Sequence, residues 1–169
     1  MDIPPIWGGV DWFGCDDDLS WERLDAPDPA TPARRLLILD VENVCPSSRR
    51  QVRAMTRLRA VLRAAGPVDR IVAASAASQH TRLDSLLRRA GVHVHTRCGN
   101  RPNAADRALI QAARRFAQEG DCEVVVASND HYFRAVADLP GVRRVVLITQ
   151  PRLATARALV RVADELRVA

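Results

Sequence analysis

The stretch RLLILDVENVC, residues 35–45, decides the fold that we predict for this chain. Its apolar run, residues 36–39, is too short for a globular helix, and the oxygen-bearing side chains of Asp40, Glu42 and Asn43 follow at once. A continuous apolar run of this length predicts a strand that is buried in a parallel sheet. Because ligands bind at the carboxyl ends of the strands in an open α/β sheet, the three polar side chains indicate a site at that edge.

Apolar runs and segments of helical periodicity alternate on the C-terminal side of this stretch. We predict strands over residues 36–40, 68–75, 92–98, 123–127 and 144–148. We predict helices from an N-cap at Ser47 or Ser48 to residue 66, over 78–90, from an N-cap at Asn103, over 131–139 and over 153–166. The alternation predicts an α/β fold with a three-layer doubly wound sheet of about five parallel strands.

Four acidic side chains follow the carboxyl ends of the predicted strands. Asp40 and Glu42 follow the first strand, Asp130 follows the fourth, and Asp106 lies in the first turn of the helix after the third. Carboxylates gathered in one place repel one another unless a cation lies among them, and Mg²⁺ and Mn²⁺ prefer such oxygen ligands. The sequence therefore predicts a site for Mg²⁺ or Mn²⁺ at this edge.

The charge of the chain is unevenly distributed. Residues 34–169 contain 24 Arg against 12 acidic residues, a net charge of +12, whereas residues 1–33 contain 8 acidic residues and 1 Arg, a net charge of −7. A basic body favours a polyanionic partner, and with a divalent cation at its centre it suits a phosphodiesterase. The alternative is that the arginines only solvate the surfaces of helices.

The first 33 residues differ in composition from the rest of the chain. They contain five of the 10 prolines and all 3 tryptophans. We therefore predict an irregular acidic extension, residues 1–33, ahead of a single domain, residues 34–169. The extension is expected to fold over the basic body or to dock on a partner protein, and homodimerisation through its tryptophans is the alternative.

Membrane and extracellular signals are absent from the sequence. No apolar run reaches the length of a membrane span, and the N-terminus MDIPP is acidic where a signal peptide is basic, so we expect a cytoplasmic protein. The 4 cysteines form no C-x-x-C pair, which indicates neither a zinc finger nor a disulfide framework. His93 and His95 alternate on the third predicted strand, where they form either a metal-binding pair or, as we prefer, part of a polar sheet face.

Three segments of the chain resemble the signature blocks of the NYN branch of the PIN-like ribonucleases. The segments are LLILDVENV, GNRPNAADRALI and VVVASNDHYF, and the blocks they resemble contain D-x-x-N, N-A-x-D and S-x-D-x-x-F. The resemblance implies a PIN-like fold, metal-dependent endoribonuclease activity, RNA as the substrate and Mg²⁺ or Mn²⁺ as the cofactor. Asp40, Asp106 and Asp130 match the metal-binding acids, Asn43 matches the residue that steadies the first loop, and Ser128 matches one that hydrogen-bonds within the site.

The chain departs from this pattern at Tyr132. Many NYN domains have a further Asp at that place, so the fourth carboxylate is either missing or replaced. Glu42 is the candidate replacement as a metal ligand, and the alternative is a solvent-facing loop residue. Without Glu42, three acids still suffice for one Mg²⁺, but two-metal catalysis becomes doubtful. A catalytically weak or inactive RNA-binding or regulatory domain is therefore the alternative function.

Five basic side chains lie near the predicted site by topology and are candidates for binding the phosphates of RNA. They are Arg97, Arg101, Arg107, His131 and Arg134. Aromatic side chains are scarce in the domain, which argues against a stacking platform for bases. We therefore expect contacts mainly with the sugar-phosphate backbone.

Overall fold

The computed structural model describes residues 34–45, 51–151 and 154–169. Within these residues six parallel strands form one sheet in the order β3-β2-β1-β4-β5-β6. The strands are β1 Arg34–Asp40, β2 Arg70–Ala76, β3 His95–Cys98, β4 Cys122–Ala127, β5 Val142–Thr149 and β6 Glu165–Val168. The predicted α/β class with a doubly wound parallel sheet is confirmed, with one strand more than the five predicted.

Helices cover both faces of this sheet. They are α1 Val41–Val44, α2 Gln51–Ala65, α3 Ala77–Arg89, α4 Ala104–Gln118, a 3₁₀ helix His131–Val136, and α5 Arg157–Val160. Alternate residues of β1 enter different cores: Leu37 packs with α2 and α3, whereas Leu36 packs with α4 and the 3₁₀ helix. Because both faces are covered, β1 is apolar at every position from 36 to 39, which is the pattern seen in the sequence.

The C-terminal helix predicted over 153–166 is wrong for most of its length. Of the described residues in this range, 154–166, only Arg157–Val160 are helical, and Glu165–Val168 forms β6 along the edge of β5. The Asp164 carboxylate accepts a hydrogen bond from the Val145 backbone N–H at 2.8 Å. The Arg167 guanidinium donates to the carbonyls of Ala64 and Ala65, at 2.9 and 3.0 Å. These tertiary contacts override the helical spacing of the apolar residues in this segment.

Other predicted boundaries moved by a few residues. β3 begins at His95 rather than at residue 92, and it is the edge strand that the sequence indicated. Asn103 occupies the N-cap position of α4, but its backbone is left-handed with φ 57°, and its side chain makes no capping bond. The N-cap predicted at Ser47 or Ser48 and the extension 1–33 lie outside the described residues. None of the described helices has both the length and the apolar character needed to cross a membrane.

Candidate active site

The strand order places the carboxyl ends of β1 and β4 side by side at the centre of the sheet. From β1 the sheet continues to β2 and β3 on one side, and from β4 to β5 and β6 on the other. Such a reversal opens a crevice between the two strand ends, where ligands bind in doubly wound sheets. Asp40 is the last residue of β1, and Asp130 is the N-cap of the 3₁₀ helix that follows β4.

An open cleft of about 560 Å³ lies at this crevice. We call it the acidic cleft because four acidic side chains line it: Asp40, Glu42, Asp106 and Asp130. The structure thus brings together the four acids that the sequence indicated. Asn43 also lines the cleft, and the loop of residues 99–103 forms one of its walls.

Hydrogen bonds hold the Asp40 carboxylate in place. One oxygen accepts from the Ser128 hydroxyl at 2.8 Å, and the other accepts from the Asn43 backbone N–H at 3.3 Å, which caps α1. The Ser128 oxygen in turn accepts from the Asp130 backbone N–H at 3.1 Å and from the Asn43 side-chain amide at 3.4 Å. Ser128 therefore connects the loops that carry Asp40 and Asp130, and its hydrogen-bonding capacity is filled.

Two carboxyl groups of the cleft have raised pKa values. The pKa of Asp40 is raised from 3.8 to about 6, chiefly by burial and also by the charge of Asp106, against the lowering effect of its hydrogen bonds. Burial also raises the pKa of Asp106, as do the charges of Asp130 and Glu42. Asp106 is thus the one acid of the four whose charge interacts with those of Asp40, Asp130 and Glu42. A bound cation would relieve this repulsion.

The spacing of the acids limits how a cation can be held. Among the residues that the structure describes, no three of the four acids place a carboxylate oxygen within 4.8 Å of the other two. The spacing fits a cation that contacts one or two carboxylates directly and reaches the others through water, as Mg²⁺ does. Both donor type and spacing therefore suit Mg²⁺ or Mn²⁺ in the acidic cleft.

A model of the NYN domain matches residues 35–168 of the sequence. The chain belongs to the NYN domain family. NYN domains are PIN-like and are generally nucleases, and PIN-like nucleases use divalent metals. No curated protein sequence matches the chain. The fold is similar to that of a crystal structure described as a protein of unknown function, VPA0982, from Vibrio parahaemolyticus RIMD 2210633. The two are 19% identical, with a TM-score of 0.57, and the similarity covers 84% of this chain and 96% of the other.

Glu42 lies in the acidic cleft of this NYN domain and not on a solvent-facing loop. Its carboxylate accepts a hydrogen bond from the Ala76 backbone N–H at 2.8 Å, at the N-cap position of α3. The side chain therefore spans from α1, directly after β1, to the end of β2.

The residues after Asp130 have separate functions. The Asp130 carboxylate caps the 3₁₀ helix through the Tyr132 backbone N–H at 2.9 Å, and it lies 2.9 Å from the His131 imidazole. Phe133 is buried in the core between the sheet and α4. Tyr132, at the position where the resemblance implied a fourth acid, is not one of the residues that line the acidic cleft.

The basic candidates differ in their distance from the cleft. Arg101 lines it, whereas Arg107 is held by the Pro102 carbonyl at 3.1 Å in the adjoining loop. His131 reaches the cleft only through Asp130 and lines a neighbouring depression with Asn43 and Thr155. Like Arg107 and His131, Arg97 and Arg134 are not among the residues that line the cleft. Of the four arginines, Arg101 is therefore the best placed to contact a bound phosphate.

Two residues that the sequence analysis missed, Asn129 and Thr155, support the site through hydrogen bonds. The Asn129 side-chain amide donates to the Asn43 side-chain oxygen Oδ1 at 3.0 Å, and the Thr155 hydroxyl donates to the Asn129 side-chain oxygen at 2.8 Å. This chain of hydrogen bonds ties the segment before α5 to α1. Asn129 lies between Ser128 and Asp130 and was detectable, whereas Thr155 lay within a predicted helix and gave no signal.

Proposed function

We propose that this NYN domain is an endoribonuclease that uses Mg²⁺ or Mn²⁺ to hydrolyse phosphodiester bonds of RNA. The observation that carries the proposal is the convergence of four carboxylates in a single cleft of a basic domain, where burial and neighbouring acids raise the pKa values of Asp40 and Asp106. When bound, the cation would activate a water molecule and stabilise the leaving oxygen. RNA is the substrate class that the NYN nuclease family implies.

The residues of the cleft have distinct functions in this proposal. Asp40, Asp106 and Asp130 would hold the cation. Ser128 and Asn43 fix the Asp40 carboxylate, because a ligand held by packing and hydrogen bonds loses less entropy when the cation binds. They are therefore positioning residues.

Glu42 provides the fourth carboxylate in the proposed site. It approaches from the β1 loop, whereas the acid of many relatives approaches from the position that Tyr132 occupies here. Its bond to the Ala76 N–H orients the carboxylate and lowers its freedom to turn toward solvent. We therefore assign to Glu42 the function that Tyr132 cannot perform.

The RNA is expected to bind through its phosphates. None of the residues that line the acidic cleft is aromatic, so the cleft offers no face for base stacking. The domain carries a net charge of +12 over residues 34–169, which attracts a polyanion toward a centre that is itself acidic. Arg101 at the wall of the cleft is the proposed contact to a phosphate near the scissile bond.

Incubation of single-stranded RNA with the full chain and Mn²⁺ or Mg²⁺ tests the proposal. The variant is Asp40→Asn, and the matched control is Asp138→Asn, which removes the same charge from an exposed position outside the cleft. We expect cleavage by the unchanged protein and by the control, and none by Asp40→Asn. Equal cleavage by all three proteins, or cleavage by none across both metals, would remove the catalytic function.

A second candidate function is a non-catalytic RNA-binding or regulatory domain. The observation in its favour is Tyr132, which leaves the cleft without the acid that many active relatives have at that place. This function predicts RNA binding that weakens steeply with salt, together with no cleavage in any metal. The same cleavage experiment, followed by binding measurements, separates the two candidates.

A further inference from the structure

A second group of ligating side chains lies outside the acidic cleft, between α3 and the edge strand β3. We call it the histidine cluster: His80, Asp84 and His95. His80 and Asp84 lie one turn apart on α3, and His95 is the first residue of β3. One ligand atom from each lies within 4.8 Å of the other two, which is true of no other such group among the described residues. None of the three residues lines the acidic cleft.

The atoms of the cluster are only partly satisfied by hydrogen bonds. His95 Nε2 lies 2.8 Å from the Ser75 hydroxyl, and His95 Nδ1 lies 3.3 Å from an Asp84 carboxylate oxygen. The His95 side chain is 1% exposed. His80 stacks on His95 with ring centroids 4.2 Å apart, and His80 Nδ1 is buried with no hydrogen-bond partner. A buried nitrogen without a partner costs free energy that a ligand would recover.

Asp84, His95 and Ser75 have the order of a catalytic triad, but they do not form an active site. Ser75 is 0% exposed, so no carbonyl group of a substrate can reach its hydroxyl. Burial, and then the charge of His80, lowers the pKa of His95.

We propose that His80, Asp84 and His95 bind one Zn²⁺ ion, which links α3 to β3. Two imidazole nitrogens and one carboxylate oxygen are a usual ligand set for zinc. Ligands at roughly 2.0–2.1 Å around a tetrahedral ion are about 3.3 Å apart, which is the separation of His95 Nδ1 and Asp84. Ser75 would accept the Nε2 proton and leave the Nδ1 lone pair free for the metal, as outer groups do for histidine ligands.

One side chain of the cluster must move for the ion to bind. The imidazole planes of His80 and His95 are inclined by only 23°, so their lone pairs run nearly side by side. A turn of the His80 ring, which is half-buried at the surface of α3, directs its unpartnered nitrogen toward the ion. Three protein ligands leave a fourth position for water.

The proposal distinguishes the two metal sites by chemistry. The acidic cleft offers only carboxylates and suits Mg²⁺ or Mn²⁺, whereas the histidine cluster offers nitrogen and suits Zn²⁺. The zinc site also has a structural connection to the cleft, because α3 begins next to Ala76, whose N–H binds Glu42. An ion bound by the histidine cluster would therefore fix α3, which begins beside the Ala76 N–H that orients Glu42.

Calorimetric titration of the EDTA-treated full chain with Zn²⁺, in excess Mg²⁺ to occupy the acidic cleft, tests the site. We expect one Zn²⁺ per chain and an increase in Tm. The affinity should fall by about 100-fold or more in His80→Gln and Asp84→Asn, beyond the roughly 10–100-fold effect of groups that only orient a ligand. His93→Gln changes an exposed histidine near the cluster and should bind Zn²⁺ as the unchanged protein does.

The ring resonances of the 4 histidines provide a second measurement. Those of His80 and His95 should shift with Zn²⁺, and those of His93 and His131 should not. The proposal is overturned if the unchanged protein binds no Zn²⁺, or if His80→Gln and Asp84→Asn bind it with unchanged affinity. Neither measurement uses RNA cleavage, so failure here is separate from failure of the proposed nuclease function.

Discussion

Asp40 is the residue at which stability and the proposed function conflict. Asp40 is only 6% exposed, and the pKa of its carboxyl group is raised from 3.8 to about 6. Between these two values the folded protein binds more protons than the unfolded chain, so stability falls as the pH rises through this window. At neutral pH the metal-free protein bears the whole cost of a buried charge next to Asp106.

Asp40→Asn is therefore expected to stabilise the metal-free protein. The gain in free energy of unfolding at pH 7.5 should be about 3 kcal/mol, which is what a pKa raised from 3.8 to about 6 corresponds to. The gain should shrink as the pH falls through this window and vanish well below pH 3.8, where the carboxyl group is protonated in both states. Urea unfolding in EDTA at the two pH values measures it.

The control for this effect is Asp138→Asn, which changes an exposed carboxylate. It should leave the free energy of unfolding within about 0.5 kcal/mol of the unchanged protein. A loss of stability in Asp40→Asn at pH 7.5 would contradict the electrostatic account and leave hydrogen bonding as the main effect of this side chain.

Glu42 allows a second test at the scale of the residue. Glu42→Gln keeps an oxygen for the Ala76 N–H but removes the charge from the cleft. We expect cleavage of RNA to slow by about 100-fold, a typical effect of losing one charged group that stabilises a transition state. Rates with Mn²⁺ at saturating RNA measure it.

Tyr132→Asp supplies the matching experiment, because it restores an acid at the place where many NYN domains have one. Added to Glu42→Gln, it should recover part of the lost rate. Recovery would show that the two positions serve the same cation. An unchanged rate in Glu42→Gln would mean that Glu42 only caps α3.

The central elements of this fold are determined locally, and the outer ones are not. β1 is apolar on both faces, so its position and burial follow from the sequence alone. β6 is different, because its pairing depends on the free edge of β5 and on the reach of Arg167 to the carbonyls of α2. The carbonyls of α2 are about a hundred residues away from Arg167, and no local pattern reports either partner.

The acidic cleft shows the same division. Asp40, Asp106 and Asp130 could be assigned to one edge because parallel strands place their carboxyl ends together. Their spacing could not be predicted, since it depends on how far α4 and the 3₁₀ helix stand from β1. The hydrogen bond of Glu42 to Ala76 escaped prediction for the same reason, because it connects two separate strand ends.

A substitution at Gly141 tests how closely α4 packs against the start of β5. It precedes β5 with φ +86°, and a Cβ atom there would lie 2.6 Å from the Ala117 carbonyl oxygen of α4. We expect Gly141→Ala to lower the free energy of unfolding by about 2–4 kcal/mol, from the left-handed backbone and from overpacking. Thermal or urea unfolding measures the loss.

Gly91→Ala is the matched control. Gly91 also has a positive φ, +84°, but a Cβ atom there would meet nothing within 4 Å. Its cost should be about 1–2 kcal/mol, from the backbone alone. If the two substitutions lower the free energy of unfolding equally, α4 and the start of β5 move apart at Ala117 and Gly141 with no cost in free energy.

The net charge of the domain and the charge of its cleft have opposite signs. Residues 34–169 have a net charge of +12, whereas four carboxylates line the cleft at the switch point of the sheet. Attraction to RNA is therefore a property of the surface, and positioning of one phosphate is a property of the cleft. The two contributions can be separated by their dependence on salt.

We expect RNA affinity in EDTA, where cleavage stops, to fall by about 100-fold between 50 and 200 mM salt, as for about five phosphate contacts on a single strand. Arg101→Met should reduce the slope of log K against log salt by about 0.7, the value of one phosphate contact. Arg134→Met removes the same charge from a position that does not line the cleft and should leave the slope nearly unchanged. Fluorescence anisotropy with a labelled oligonucleotide measures both slopes. Equal slopes for the two variants would mean that RNA binds the basic surface without entering the cleft, and the nuclease function would then lose its substrate path.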